Sequence, residues 1–195
     1  MKKRIALLAA ALCLLLSLTG CGKLKDLNES SITLKDNGSI EVVMYESFDK
    51  PYYSEDELMN AVNAEVTAYN GEHGDGKIKV GDHKLENGVM MLTMTFKDVE
   101  TYNNYMPEKI YVGTLGSCVS AGYDLNRSLV VVGKDGKTVG KEKLADMSSK
   151  KVIIVNEGVN VRCPSKVTYY SQGMEYVDKQ TVKASAPGCY FVVYK

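Results

Sequence analysis

Alternating apolar and polar residues predict β-hairpins over most of the chain. Apolar residues alternate over 31–48 on either side of Asn37-Gly38, the strongest short-range hairpin signal. Further hairpins are predicted around 86–88, 156–158 and 171–173, where turn residues separate apolar runs. The last strand, 189–194, is apolar on both faces, so we expect it to be buried on both sides and central in a sheet.

One segment carries the helical period instead. Ser54 is a predicted N-cap with Glu57 three residues on, and apolar residues then recur every three or four positions as far as Asn70-Gly71. Asp98 is predicted to cap a short helix ending near Met106, while 116–123 and 141–147 are ambiguous between a helical turn and a loop. The predicted class is α+β: an antiparallel, hairpin-rich sheet with one main helix at about 54–70 and one or two short helices.

The amino terminus has a different pattern, that of an export signal. Three basic residues at 2–4 precede an uncharged apolar run at 5–18. That run is followed by Leu18-Thr19-Gly20-Cys21, which resembles the lipobox of bacterial lipoproteins. The resemblance implies that a diacylglycerol is attached to the Cys21 sulfur, with palmitate-type acyl chains, and that cleavage occurs just before it. The alternative is an ordinary signal peptide or uncleaved anchor with a chance cysteine.

This interpretation divides the chain into a signal peptide (1–20), a polar tether (21–30) and a single α+β domain (31–195). The loop at 124–128 is the one plausible internal boundary. The expected location is the outer, extracytoplasmic face of the cell membrane, held by lipid on Cys21. Cleavage removes three basic residues and no acidic one, which leaves 21 basic against 24 acidic groups. This weakly acidic balance argues against nucleic acid as a partner.

The exported part carries a second, broader resemblance. Residues 48–70, FDKPYYSEDELMNAVNAEVTAYN, and more weakly 113–123, GTLGSCVSAGY, are similar to small Gram-positive lipoproteins without an assigned activity. The resemblance implies one compact α+β domain. It supplies no functional residue.

Three cysteines remain after export and lipidation: Cys118, Cys163 and Cys189. An odd number outside the cytoplasm predicts one bridge with one free thiol, or no bridge. Cys163–Cys189 is the first pair to consider, because both residues lie in the β-rich last third. The alternative is that all three are buried and act as small apolar side chains.

Histidine and cysteine chemistry has few candidates. Glu72, His73, Asp75, Asp82 and His83 form the densest group of metal-ligand residue types, but the group lacks the fixed spacing of known metal motifs. The alternative is a solvated loop rich in turn residues. Cys118 could act as a nucleophile with His83 as its base, although no local signature supports that pair. No cofactor is implied.

Thirteen tyrosines without a tryptophan are the most suggestive compositional feature. Several lie at predicted element edges, where an amphipathic ring can contact a sugar or peptide, or simply pack with its hydroxyl in water. They are Tyr52, Tyr53, Tyr102, Tyr105, Tyr169, Tyr170 and Tyr176. The expected function is a non-enzymatic binding or accessory module that contacts an envelope protein or wall component. The alternative is an envelope hydrolase acting on peptide or glycan.

Overall fold

Two mostly antiparallel β-sheets and four helices make up residues 29–195, the part of the chain described by the computed structural model. The helices are α1 (Glu55–His73), α2 (Val99–Tyr105), α3 (Leu115–Ser120) and α4 (Lys141–Ala145). The strands are β1 (Ser31–Leu34), β2 (Ile40–Ser47), β3 (Ile78–Glu86), β4 (Val89–Phe96), β5 (Tyr111–Thr114), β6 (Leu129–Val131), β7 (Thr138–Val139), β8 (Lys151–Val155), β9 (Asn160–Arg162), β10 (Val167–Ser171), β11 (Met174–Asp178), β12 (Thr181–Ala184) and β13 (Tyr190–Tyr194).

The first sheet has seven strands in the order β11-β12-β9-β1-β2-β4-β3. Two of its hairpins, β1–β2 and β3–β4, form at the turns predicted from Asn37-Gly38 and Asn87-Gly88. Asn87 (φ 51°) and Gly88 (φ 74°) both adopt the left-handed conformation that a tight hairpin turn requires. Strands β2 and β4 pair over eight residues, and the β1–β9 pair is parallel.

The second sheet has six strands in the order β5-β8-β13-β10-β6-β7. The carboxy-terminal strand β13 lies between β8 and β10, and four of its five residues are buried. This confirms the central position predicted from its apolar residues on both faces.

The buried hydrophobic residues form two cores. The larger core lies between the sheets, where Ile32, Ile40 and Phe96 of the first sheet are clustered with Ile153 and Val192 of the second. The smaller core covers the other face of the second sheet. There α3 and α4 contribute Leu115, Cys118 and Leu144 beside Ile154, Phe191 and Val193.

Helix α1 forms where its sequence pattern predicts, although it is longer than predicted. The Ser54 hydroxyl accepts a hydrogen bond from the Glu57 amide at 3.3 Å, so the predicted N-cap is present. The Asn70 side chain, which the sequence predicts to stop the helix, instead donates to Ile78 O and accepts from Ile78 N. The helix therefore continues to His73, and Asn70 ties its last turns to β3.

Two details of the predicted architecture are wrong. The expectation of one main helix with one or two short ones underestimates the four helices, two of which have seven or more residues. The turns at 156–158 and 171–173 do not close hairpins, because β8 and β10 belong to the second sheet whereas β9 and β11 belong to the first. Both sheets also contain strands from before and after 124–128.

None of the helices in the described part of the chain is both long and apolar enough to cross a bilayer.

Candidate functional surfaces

The proposed histidine and aspartate ligands are spread over the end of α1 and the edge strand β3. His73 stacks on Tyr69 with ring centroids 4.3 Å apart, and His83 lies 3.7 Å from the Glu55 carboxylate at the other end of the same helix. Asp75 lies in the loop after α1, and Asp82 lies in the irregular stretch of β3 between Val80 and His83. Within residues 29–195 no group of three or more His, Cys, Asp or Glu side chains has metal-binding geometry.

Cys118 lies inside the smaller core, with no exposed surface. Its Sγ donates to the Leu115 carbonyl at 3.1 Å. Burial raises the pKa of this thiol, which the positive charge of Arg127 partly offsets. His83 belongs to the edge of the first sheet, beside Glu55, so the structure does not bring the suggested nucleophile and base together.

All three cysteines in the described chain are free thiols, including the Cys163 and Cys189 considered for a bridge. Cys163 is buried, and burial raises its pKa to about 12. It lies near Tyr194, whose pKa is raised by burial and by the Cys163 thiol. Cys189 is exposed just before the opposite end of β13, and five strand residues span about 16 Å. A disulfide needs Cα atoms within about 7 Å, so this geometry gives the pair no support.

Arg127, in the loop at 124–128, lies at the edge of the smaller core. Its guanidinium lies 3.8 Å from the centroid of the Phe191 ring and donates to the Cys189 carbonyl at 3.1 Å. The shallow depression beside α3 and α4, about 400 Å³, is lined mainly by Val119, Tyr123, Leu125 and Lys141. None of the histidines or cysteines discussed above lines it.

A group of partly buried carboxylates was not predicted from the sequence. Tyr102, which is fully buried, donates its hydroxyl to Glu157 Oε1 at 3.3 Å. Burial, and the nearby Glu108 carboxylate, raise the pKa of Glu157 despite that hydrogen bond. Burial and the charge of Glu157 likewise raise the pKa of Glu46 on β2. The ionised carboxylates are therefore unfavourable in the folded state.

Glu157→Gln is expected to raise the melting temperature at pH 7 by about 2–4 °C. A carboxyl whose pKa is raised by folding contributes its full stability below its unfolded pKa and loses it as the pH rises through the folded value. The amide keeps the acceptor for Tyr102 without the charge, so the gain should disappear near pH 4. Thermal unfolding across pH 4–8 measures this, with Glu175→Gln on exposed β11 as a control. A gain that is constant with pH would contradict the explanation.

The most prominent exposed apolar surface is a group we call the aromatic tip: Phe48, Tyr52, Tyr53 and Val89. Tyr52 is 74% exposed and Tyr53 is 41% exposed. The Phe48 and Tyr53 rings are 4.8 Å apart, and the Tyr52 and Tyr53 rings are 5.0 Å apart. The Phe48 amide donates to Gly88 O at 2.6 Å, which places the β2–α1 loop beside the β3–β4 turn.

The sequence indicated the two tyrosines of the aromatic tip but not its other members. Val89 lies there because it pairs with Ser47 across β2 and β4, a contact between residues distant in sequence. Most of the other tyrosines considered as ligand contacts lie in cores or half-buried sites, as Tyr102 does. Tyr176 is the exception, since it is 38% exposed on the edge strand β11.

The described chain starts at a firmly held point of the first sheet. Glu29 pairs with Lys183 of β12 and accepts from Asn160 Nδ2 at 2.9 Å. Ser30 Oγ accepts from the Tyr45 amide at 3.0 Å, and its carbonyl accepts from the Asn160 amide. The predicted signal peptide, residues 1–20, and Cys21 lie outside the described residues, so cleavage and lipidation there stay predictions.

Comparisons of this chain with protein-family models, with curated proteins and with solved structures find no match.

Proposed function

We propose that this chain is an extracytoplasmic lipoprotein, anchored to the outer face of the cell membrane through lipid on Cys21. In this proposal it is a non-enzymatic binding or accessory module of the cell envelope. Its partner is an envelope protein or a cell-wall component that lies near the membrane.

The observation that carries the proposal is the short distance in sequence between Cys21 and the folded domain. Glu29, the first residue that the structure describes, is held by Lys183 and Asn160. Only residues 22–28 separate the lipobox cysteine from this point. A lipid on Cys21 would therefore hold the whole domain against the membrane surface, where envelope proteins and inner wall layers are within its reach.

The placement of the reactive side chains favours binding over catalysis. Cys118 is buried with its thiol bonded to a carbonyl, whereas His83 lies at a sheet edge against Glu55. Catalysis by a nucleophile and base needs the two within hydrogen-bond reach of each other. A hydrolase acting on peptide or glycan remains the alternative function, and it requires a catalytic group other than this pair.

Anchoring is tested by metabolic labelling with an alkyne fatty acid in the cells that make the protein. Wild type and Cys189→Ser, which removes an exposed thiol elsewhere, should both be labelled. Cys21→Ser should lose essentially all label and stay unprocessed or leave the membrane. Labelling that survives Cys21→Ser would overturn the lipoprotein assignment.

The binding role is tested by titrating the purified mature chain against envelope membrane proteins and cell-wall fractions. Saturable binding without chemical change of the bound component is the expected result. Turnover of a wall peptide or glycan by the pure chain would instead establish the hydrolase function. Mass spectrometry of the wall fraction before and after incubation distinguishes the two.

A further inference from the structure

We propose that the aromatic tip is a membrane-contacting surface, which inserts its tyrosine rings among the lipid headgroups and fixes the orientation of the anchored domain. The occupant of this surface is the bilayer to which Cys21 is attached. This inference rests on the lipid anchor proposed above, and it adds a second, weaker contact with the membrane.

Strand directions place the aromatic tip at the end of the domain where the chain emerges. Strand β1 begins at Ser31, which pairs with Val43 of the antiparallel β2. Ser30, the residue just before β1, therefore lies beside the last residues of β2, as the bond between Ser30 Oγ and Tyr45 N shows. Phe48 follows that strand three residues after Tyr45, about 10 Å farther along it. The β3–β4 turn lies at the same end, because Val89 pairs with Ser47.

The length of the preceding segment brings this end to the membrane. Eight residues, 21–28, connect the lipobox cysteine to Glu29. Fully extended, eight residues span at most about 28 Å, and a random coil of that length averages about 16 Å. The headgroup region on each side of the hydrocarbon is itself several ångströms thick. The end of the first sheet that carries the aromatic tip is thus the end closest to the lipid.

The side chains at this end suit the headgroup region better than the hydrocarbon. Tyrosine has an apolar ring and a hydroxyl that hydrogen-bonds, and it is enriched where membranes meet water. Of the neighbouring lysines, Lys50 Nζ lies 3.5 Å from Asp49 and Lys84 Nζ lies 2.8 Å from Glu86, and three acidic residues, Glu55, Asp56 and Glu57, follow the tip in the first turn of α1. With no excess of basic residues, contact should depend on the aromatic rings and not on anionic lipid.

The chain lacks tryptophan, so one introduced residue can report its position by fluorescence. The test uses the mature chain, residues 21–195, with Cys189→Ser to remove the exposed thiol. Its Cys21 thiol is coupled to maleimide phospholipid in phosphatidylcholine vesicles containing brominated lipid, which quenches nearby tryptophan. Tyr52→Trp reports the aromatic tip, and Tyr176→Trp on β11 is the control, since that residue is also exposed.

We expect bromolipid to quench the tryptophan at position 52 at least twice as strongly as the one at position 176. Replacing half of the phosphatidylcholine by phosphatidylglycerol should change neither value appreciably. Equal quenching at the two positions, or none at position 52, would overturn the inference, even if an envelope protein were then found to bind the aromatic tip. In this test the lipid is attached to Cys21 chemically, so the result does not depend on whether Cys21 is lipidated in cells. Failure of the anchor proposal would be seen in the metabolic labelling experiment instead. Circular dichroism verifies that both variants fold.

Discussion

Phe191→Ala is expected to destabilise the domain by about 3–5 kcal/mol, the cost of emptying a large aromatic site in a core. Phe191 has no exposed surface and occupies the central strand β13, where it pairs with Ile154. Its ring is covered on one side by the Arg127 guanidinium and approached edge-on by Tyr123, 6.1 Å away. The cavity would open between the second sheet and helices α3 and α4. Urea denaturation followed by far-ultraviolet circular dichroism measures the loss.

Phe48→Ala is the matched control for this substitution. It removes the same atoms from a half-buried position in the aromatic tip, so we expect a loss of only about 1 kcal/mol. Equal losses at the two positions would mean that the smaller core contributes little to stability. Phe191→Leu should recover most of the stability by refilling the site. The remaining deficit would include the cation–π contact with Arg127, a contact worth about 0.5–1 kcal/mol at an exposed site.

The elements that the sequence predicted well are those specified by local signals. Asn-Gly turns favour a tight hairpin whatever surrounds them, and the β1–β2 and β3–β4 hairpins form there. A serine N-cap followed by helical spacing likewise determines where α1 begins. The apolar residues on both faces of β13 predicted its central position, because burial on two sides requires layers on both.

The sheet to which a strand belongs could not be predicted from such signals. Turns at 156–158 and 171–173 contain glycine and separate two strands, a pattern compatible with a hairpin or with a chain that changes sheets. The choice depends on which faces become buried, and therefore on residues far away in sequence. The same limit applies to the aromatic tip. Tyr52 and Tyr53 were visible in the sequence, but the position of Val89 at the same end of the sheet depends on β2–β4 pairing.

Gly158→Ala is expected to destabilise the domain by about 1–3 kcal/mol, a typical cost of inserting a methyl group into a packed site. Gly158 lies where the chain passes from β8 in one sheet to β9 in the other. A Cβ at this position would lie 2.9 Å from both the N and C atoms of Ala186. Backbone atoms cannot rotate away as a side chain can, so the two connections must separate.

Gly71→Ala supplies a control of opposite sign. Gly71 is an exposed residue of α1, and a Cβ there would have no neighbour within 4 Å. Alanine in a helix is about 0.5–1 kcal/mol more favourable than glycine, so this variant should be more stable than wild type. Chemical denaturation of both variants compares them directly.

A hydrogen bond also joins the 156–158 connection to the segment between β12 and β13 that contains Ala186. The Gly188 amide donates to Asn156 O at 3.2 Å. A simple β8–β9 hairpin would not require this close approach to Ala186, so Gly158→Ala with wild-type stability would argue for the hairpin and against the passage between sheets.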